Sequence, residues 1–193
     1  IERLDSGILS NDDRRKAIFR LGVEFVAHVL KSNYYVLRRS ALSFRVDPQV
    51  MLEVPFLDRA SLFPEIPYGI FFIKGKNFFA FNIRFRPLAR GGVRTLLPMG
   101  KEREDYQHRE VFRECYQLAY TQQKKNKDIP EGGSKSVIFV KNYAAFERDM
   151  AVEHSVLTRK FSSKEALSKA IDNSRHTKIR RQLFDAQRSF CDT

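Results

Sequence analysis

The sequence predicts an α/β fold, a mixed sheet with flanking helices and additional helices at both ends of the chain. Three patterns support this prediction: apolar residues at helical spacing near the start, alternating aromatic residues around a short turn, and charged segments with helical patterning in the last third. The chain has 193 residues, of which 42% are hydrophobic, including 17 Phe and 7 Tyr. Such a composition can bury a core, which indicates a globular chain.

The first forty residues predict a helical lead-in segment, residues 1–40. Short side-chain acceptors at residues 11–13 suit a helix N-terminus, and the helix is expected to continue to about residue 33. Its apolar stripe, interpreted as core packing, comprises Ile18, Leu21, Phe25, Val26, Val29 and Leu30.

A strand and a hairpin are predicted next. Residues 41–47 alternate and are ended by Pro48, and the proline-rich residues 48–67 indicate a connecting loop. Two apolar strands, 68–74 and 78–86, flank a Gly-Lys-Asn turn. One face of the second strand carries Phe79, Phe81, Ile83 and Phe85. This face is interpreted as core, the alternative being an aromatic platform that stacks RNA bases.

The second half alternates between helices and a strand. A charged loop over 100–108 leads into a helix over about 106–127, and a loop at 129–135 precedes a strand at 136–141. Ser162 with Glu165 fits a capping box for a helix over 163–173, and a last helix is expected over about 174–191. The predicted units are the lead-in, an α/β domain over 41–150 and a helical extension over 151–193.

Charge favours an anionic partner. The chain carries 35 basic and 23 acidic residues, a net charge of +12, which suits nucleic acid but also small carboxylates and dinucleotides. The longest apolar run is too short to span a bilayer, so no membrane partner is expected. Cys115 and Cys191 lie far apart in the sequence, and each is interpreted as a buried thiol. The four histidines are scattered, so no metal site is predicted.

Three separated segments share one chemistry. They are Arg-Gly-Gly-Val-Arg at 90–94, the run Gln-Gln-Lys-Lys-Asn-Lys at 122–127, and Pro-Glu-Gly-Gly-Ser-Lys at 130–135. Together they predict a cationic pocket with glycine-lined walls, in which two cations anchor the two carboxylates of a dicarboxylate. A lysine close to another cation can then act as an acid or base. The last segment is not a phosphate-binding loop, because the required glycines are absent.

These motifs resemble those of glutamate dehydrogenases. That family carries a Lys- or Arg-Gly-Gly-x-Arg motif, then a helix ending in Lys, then a Pro-x-Gly-Gly-x-Lys loop, and this sequence has ARGGVR and TQQKKNKDIPEGGSKSVI in that order. The segment NYYVLRRSALSFRVDP is also similar, so the resemblance covers residues 30–141. The ten-residue spacing from Lys125 to Lys135 is typical of the large eukaryotic NAD-dependent class.

The resemblance implies a role for each matching residue. Lys135 matches the catalytic lysine, which polarises a water, and Arg90 matches the residue that holds the substrate side-chain carboxylate. Gly91 would approach the substrate through its backbone, while Gln122 and Lys125 match positions that hold the α-carboxylate. Arg94 is expected to support the loop. Ser136 stands where the family usually has Gly, a departure that adds a small side chain at this position.

The resemblance further implies the fold and the reaction. Residues 41–150 would be the substrate-binding (N-terminal catalytic) domain of an enzyme that deaminates L-glutamate oxidatively to 2-oxoglutarate and ammonia. NAD is the implied cofactor, and no residue is assigned to it, because the sequence has neither a dinucleotide fingerprint nor a counterpart of the family's catalytic Asp. We expect an NAD-binding domain beyond residue 193. A homo-oligomer and a mitochondrial location are implied, with a cytoplasmic location as the alternative.

Two other functions remain open at this stage. The net charge and the basic clusters near the end also fit a nucleic-acid-binding module, although small anions explain them as well. A catalytically inactive glutamate dehydrogenase homologue with an assembly role would keep the same motifs.

Overall fold

A six-stranded mixed sheet lies between two helical layers in the computed structural model, which describes residues 9–54, 58–141 and 143–193. The strands are β1 (Val29–Ser32), β2 (Ala41–Val46), β3 (Gly69–Gly75), β4 (Phe78–Arg84), β5 (Ala89–Leu96) and β6 (Gly132–Val140). The described helices are α1 (Leu9–Ala27), α2 (Val50–Glu53), α3 (Arg59–Leu62), α4 (Lys101–Gln123), α5 (Tyr143–Lys160) and α6 (Lys164–Cys191). The predicted mixed α/β architecture is confirmed.

The sheet has the strand order β1-β2-β3-β4-β6-β5. All neighbouring strands are antiparallel except β5 and β6, which pair in parallel. A parallel pair needs a long crossover connection, and α4 supplies it by running from the end of β5 to the start of β6. The glycine-containing motifs at the two ends of α4 are therefore brought side by side.

The two faces of the sheet pack against different helices. The face covered by α4, called the α4 face, buries Phe79, Ile83, Phe85, Val137 and Phe139 against Val111, Cys115, Tyr116 and Ala119. The opposite α6 face buries Ala41, Ile73, Phe78, Ala80, Ile138 and Val140 against Ala186, with Phe190 alongside. The predicted apolar face of the hairpin is thus confirmed. An RNA-stacking role for it is wrong, because its aromatic rings lie under α4.

The lead-in helix is shorter than predicted. Helix α1 ends at Ala27, and the residues from Val29 onward form β1, which pairs with β2. The β-branched Val29 suits a strand better than a helix. Phe25 does reach the core, with its ring centroid 5.9 Å from that of Phe44. The interpretation of the other stripe residues as core is wrong for Ile18, Leu21, Val26 and Leu30, which are exposed. Residues 1–8 lie outside the described part.

Several other boundaries differ from the prediction. Segment 90–94, expected to be a loop, lies in β5, and β6 begins at Gly132 rather than at 136. Helix α4 begins at Lys101, before the predicted residue 106, so it includes most of the predicted charged loop. It ends at Gln123, before the predicted residue 127. The residues near the end form α5 and one continuous α6, so the predicted break at 173 is wrong. The N-cap of α6 is Ser163, without a side-chain cap, so the capping box at Ser162 is also wrong.

We predict that Gly133→Ala destabilises the fold. A Cβ at this position would collide with the backbone nitrogen of Gln123 and the carbonyl oxygen of Ala119, so α4 would have to move away from β6. The expected loss in the free energy of unfolding is roughly 1–3 kcal/mol, measured by urea denaturation.

Gly22→Ala is the matched control. A Cβ at Gly22, inside α1, meets nothing within 4 Å, so this substitution should stabilise the chain by about 0.5–1 kcal/mol. Equal effects of the two substitutions would contradict the close packing at Gly133.

Candidate functional site

The parallel pairing of β5 and β6 joins the first and third of the sequence motifs. Arg90 pairs with Gly133, and Gly92 pairs with Lys135. Because paired residues share a face of the sheet and side chains alternate along a strand, Arg90, Arg94 and Lys135 project on the α4 face. Two motifs that were expected to be loops are thus two neighbouring strands.

Two glycines of β5 allow this close arrangement. A side chain at Gly91 would collide with the carbonyl oxygen of Ser134, so the two strands can approach only without it. At Gly92, the Nζ of Lys135 lies 3.4 Å from where a Cβ would be. The ammonium of Lys135 therefore lies over the bare backbone of the neighbouring strand.

The backbone of Lys135 is held from two sides. Its carbonyl oxygen accepts a hydrogen bond from the thiol of Cys115 on α4 at 3.3 Å and lies 3.5 Å from the amide nitrogen of Asn82 on β4. The same Asn82 amide donates to the Ser136 hydroxyl at 2.7 Å. The predicted catalytic lysine is consequently half-buried on a rigid strand, with only its side chain extending from the core.

Both arginines of the first motif have acidic partners. The Nε of Arg90 lies 2.7 Å from a carboxylate oxygen of Glu131, while the Arg90 side chain remains 69% exposed. The Nε of Arg94 lies 3.0 Å from Glu114 on α4. The pair with Glu114 ties β5 to the crossover helix, which is the supporting part expected of Arg94. The pair with Glu131 leaves the terminal nitrogens of Arg90 open to solvent.

The middle motif lies less centrally than predicted. Helix α4 ends at Gln123, and it is Gln123, rather than Gln122, whose side chain accepts a 2.6 Å hydrogen bond from the backbone nitrogen of Gly133. Lys125 lies two residues beyond the helix end and is exposed. Among the contacts of the described ranges, none joins Lys125 to Arg90 or Lys135. The structure thus places Arg90, Gly91 and Lys135 on two paired strands, while Lys125 lies beyond the end of α4.

Sequence reasoning missed the residues that hold the site in place. They are Asn82, Cys115, Gln123 and Glu131. One signal was present: Asn82 interrupts an otherwise aromatic and aliphatic strand, and a buried amide needs hydrogen-bond partners. No comparable signal distinguished Gln123 from Gln122.

The two cysteines lie in opposite environments. Cys115 is fully buried beneath Lys135, whereas Cys191 is exposed, so the prediction of a buried thiol is confirmed for Cys115 and wrong for Cys191. Burial raises the pKa of the Cys115 thiol from 9.0 to about 12. The folded chain therefore holds this proton more tightly than the unfolded chain. The resulting stability is complete below pH 9 and is lost as the pH rises through about 12.

Within the described residues, no group of three or more His, Cys, Asp or Glu side chains could hold a metal ion. The same residues include no helix that is long and apolar enough to cross a bilayer.

The sequence comparisons show which known proteins this chain is similar to. No family model matches the chain. Curated dehydrogenases do match it, over 58–68% of its length, and three of the four are named as NAD-specific.

More narrowly, the chain is similar to the NAD-specific glutamate dehydrogenase of Saccharomyces cerevisiae, 43% identical over 132 residues, or 68% of this chain and 12% of that protein. It is 39% identical over 130 residues to glutamate dehydrogenase 2 of Dictyostelium discoideum, covering 67% of this chain and 12% of that protein. It is 43% identical over 112 residues to the NAD-specific glutamate dehydrogenase of Neurospora crassa, covering 58% of this chain and 10% of that protein.

These matches confirm the resemblance to the eukaryotic NAD-specific glutamate dehydrogenases. The chain spans about an eighth of the length of the curated relatives it matches, 12% of the first two.

We predict that a thiol reagent distinguishes the two cysteines. At pH 8, Ellman's reagent should label Cys191 rapidly, because that thiol is exposed, and should reach Cys115 only when the chain unfolds. Cys191→Ser should abolish the rapid phase while leaving the slow one. Rapid labelling in that variant would show that Cys115 is not enclosed under β6.

Proposed function

We propose that this chain forms part of an NAD-dependent glutamate dehydrogenase, which converts L-glutamate to 2-oxoglutarate and ammonia. In this proposal residues 41–150 are the substrate-binding domain, to whose sheet the preceding segment adds β1, and residues 151–193 are a helical extension. The observation that carries the proposal is the position of Lys135 over Gly92, with Arg90 on the same face of the neighbouring strand. A cation next to bare backbone leaves room for a small amino acid in contact with both.

The cations divide the recognition of glutamate between them. Arg90 keeps its Nε on Glu131, so its terminal nitrogens are free to hold the side-chain carboxylate in a two-point hydrogen bond. Gln122 and Lys125 would hold the α-carboxylate, and Gly91 would contact the substrate through its backbone. Lys125 would have to turn toward β5 to do so, since its side chain is exposed.

Lys135 is proposed as the catalytic residue. Its ammonium would orient a water beside the substrate Cα and exchange a proton with it, while its backbone stays fixed by Cys115 and Asn82. A rigid backbone suits acid–base work, because the proton must be transferred over hydrogen-bond distance.

NAD would be the hydride acceptor in this reaction. The connection from β5 to α4 does not fit a dinucleotide, because Gly100 is the one glycine between the two elements and no glycine-rich turn precedes the helix. We therefore assign no step at this site to the cofactor and propose that a separate domain binds NAD. A homo-oligomer and a mitochondrial location belong to the same proposal.

One observation favours a second candidate, a catalytically inactive homologue with an assembly role. Arg90 is paired with Glu131, and no contact among the described residues joins the exposed Lys125 to Arg90 or Lys135. The two candidates differ in whether the chain binds glutamate and whether Lys135 matters for turnover.

We predict that Lys135→Gln abolishes the function while preserving the fold. In a chimera that carries this chain in place of the matching segment of the Saccharomyces relative, the substitution should lower kcat for glutamate oxidation by roughly 10²–10⁴-fold, the usual contribution of an acid–base group. In the isolated chain, L-glutamate should cause saturable NMR shifts at Gly91, Gly92 and Lys135.

Lys76→Gln is the matched control, because it removes the same charge in the exposed turn between β3 and β4. It should leave turnover unaltered. Undiminished kcat in the Lys135→Gln chimera would remove this residue from catalysis. An inactive chimera with no glutamate-induced shifts in the chain would favour the assembly role.

A further inference from the structure

The carboxylate of Glu131 holds one edge of the Arg90 guanidinium. Its oxygen lies 2.7 Å from Nε, and the Glu131 side chain is only 13% exposed. A carboxylate this enclosed needs a cation beside it, because an uncompensated charge is costly to bury. The contact therefore differs from an ion pair between two exposed side chains, which forms and breaks with little change in free energy. Glu131 thus determines the direction in which the Arg90 side chain extends.

The backbone around Glu131 is itself held in place. The Nζ of Lys127 donates to the carbonyl oxygen of Glu131 at 3.0 Å, and the backbone nitrogen of Glu131 donates to the carbonyl oxygen of Ile129 at 2.8 Å. The next residue, Gly132, donates from its backbone nitrogen to the carbonyl oxygen of Leu88 at 2.8 Å. Because Leu88 directly precedes β5, these bonds fix Glu131 beside the start of that strand.

The two cations of the candidate site lie at successive positions along the parallel strands. Arg90 is opposite Gly133. Lys135 is opposite Gly92, two residues further along both strands. Glu131 comes two residues before Gly133, on the other side of Arg90 from Lys135. At a rise of about 3.3 Å per residue, each of these steps is roughly 6–7 Å long. Glu131 therefore draws the Arg90 guanidinium toward the start of β5 and away from the ammonium of Lys135.

We propose that Glu131 determines the length of the dicarboxylic amino acid that the site accepts. This inference rests on the proposed function, in which Arg90 holds the side-chain carboxylate and Lys135 acts beside Cα. The separation of the two cations must then match the distance from Cα to that carboxylate, which is one methylene group longer in glutamate than in aspartate. With its Nε held by Glu131, Arg90 reaches the carboxylate of glutamate and lies too far from that of aspartate. Glu131 is thus a positioning residue that acts through Arg90.

The test compares L-glutamate with L-aspartate in the chimera with the Saccharomyces relative. Glu131→Ala should lower the ratio of kcat/KM for glutamate to that for aspartate by about tenfold or more, as expected for discrimination by one methylene group. KM should rise for glutamate and fall for aspartate, because the released Arg90 can follow the shorter carboxylate toward Lys135. Glu131→Gln keeps an acceptor oxygen for Nε and should lower the ratio by a smaller factor, since a neutral acceptor holds the guanidinium more weakly.

A double substitution tests whether Glu131 acts through Arg90. In a chimera that already carries Arg90→Gln, adding Glu131→Ala should leave the ratio where Arg90→Gln alone puts it, because the guanidinium that Glu131 positions is gone. A further fall of the ratio in the double variant would show that Glu131 acts on the substrate by another route and would overturn the inference.

Glu153→Ala is the matched control. It removes a carboxylate that lies 3.5 Å from the Nζ of Lys178 and joins α5 to α6, outside β5 and β6, so it should leave the ratio unaltered. Thermal unfolding shows which variants are folded, and if Glu131→Ala is not, the ratio in Glu131→Gln decides.

Two results would overturn the inference and leave the proposed function standing. One is an unaltered ratio in the Glu131 variants of a chimera that oxidises glutamate. The other is an equal loss of kcat/KM for both amino acids, which is the result expected of a pair that only stabilises the fold. A folded chimera that oxidises neither amino acid would instead overturn the proposed function, and this inference with it.

Discussion

The approach of β5 to β6, with the end of α4 pressed against both, is the constraint on which the site depends. Gly91 permits the strands to meet at Ser134, and Gly133 permits the helix end to meet β6 at Gln123. A side chain at either glycine would separate these elements, since the atoms in the way are backbone atoms that cannot rotate aside. The position of Lys135 therefore depends on two missing side chains as well as on the contacts of its own backbone.

The same arrangement divides Lys135 into a fixed part and a free part. Its backbone is bonded within a core where Cys115 is fully buried, while its ammonium extends over Gly92. A functional group on a central strand is placed more reproducibly than one on a loop, because the ladder on both sides restrains it. Arg90 has less restraint on the edge strand, and the carboxylate of Glu131 compensates by holding its Nε. The candidate site thus joins one rigid cation to one adjustable cation.

The hairpin and α4 were predicted well from the sequence, because each has a local pattern. The alternation of Phe79, Phe81, Ile83 and Phe85 reports burial directly, and the structure places these rings under α4. Strand β5 was missed because arginines and paired glycines have low strand propensity, and its pairing with β6 is non-local. The exposure of the apolar residues along α1 could not be predicted either, because periodicity shows that one side of a helix is apolar but not what covers that side. Lys125 was assigned to the site by its match to the family motif, and it stays a prediction, since the residue lies beyond the end of α4 and is exposed.

The net charge of +12 is distributed differently over the two faces of the sheet, which composition alone could not show. On the α4 face Arg90 and Arg94 lie beside the carboxylates of Glu131 and Glu114. On the α6 face Lys31, Arg45 and Arg84 take part in no ion pair among the described residues, although Lys31 and Arg45 lie directly opposite each other on neighbouring strands. Composition counts both sets alike, because it records how many cations a chain has and not whether a carboxylate lies beside each one. The fold therefore separates cations that have an acidic partner from cations whose like charges repel.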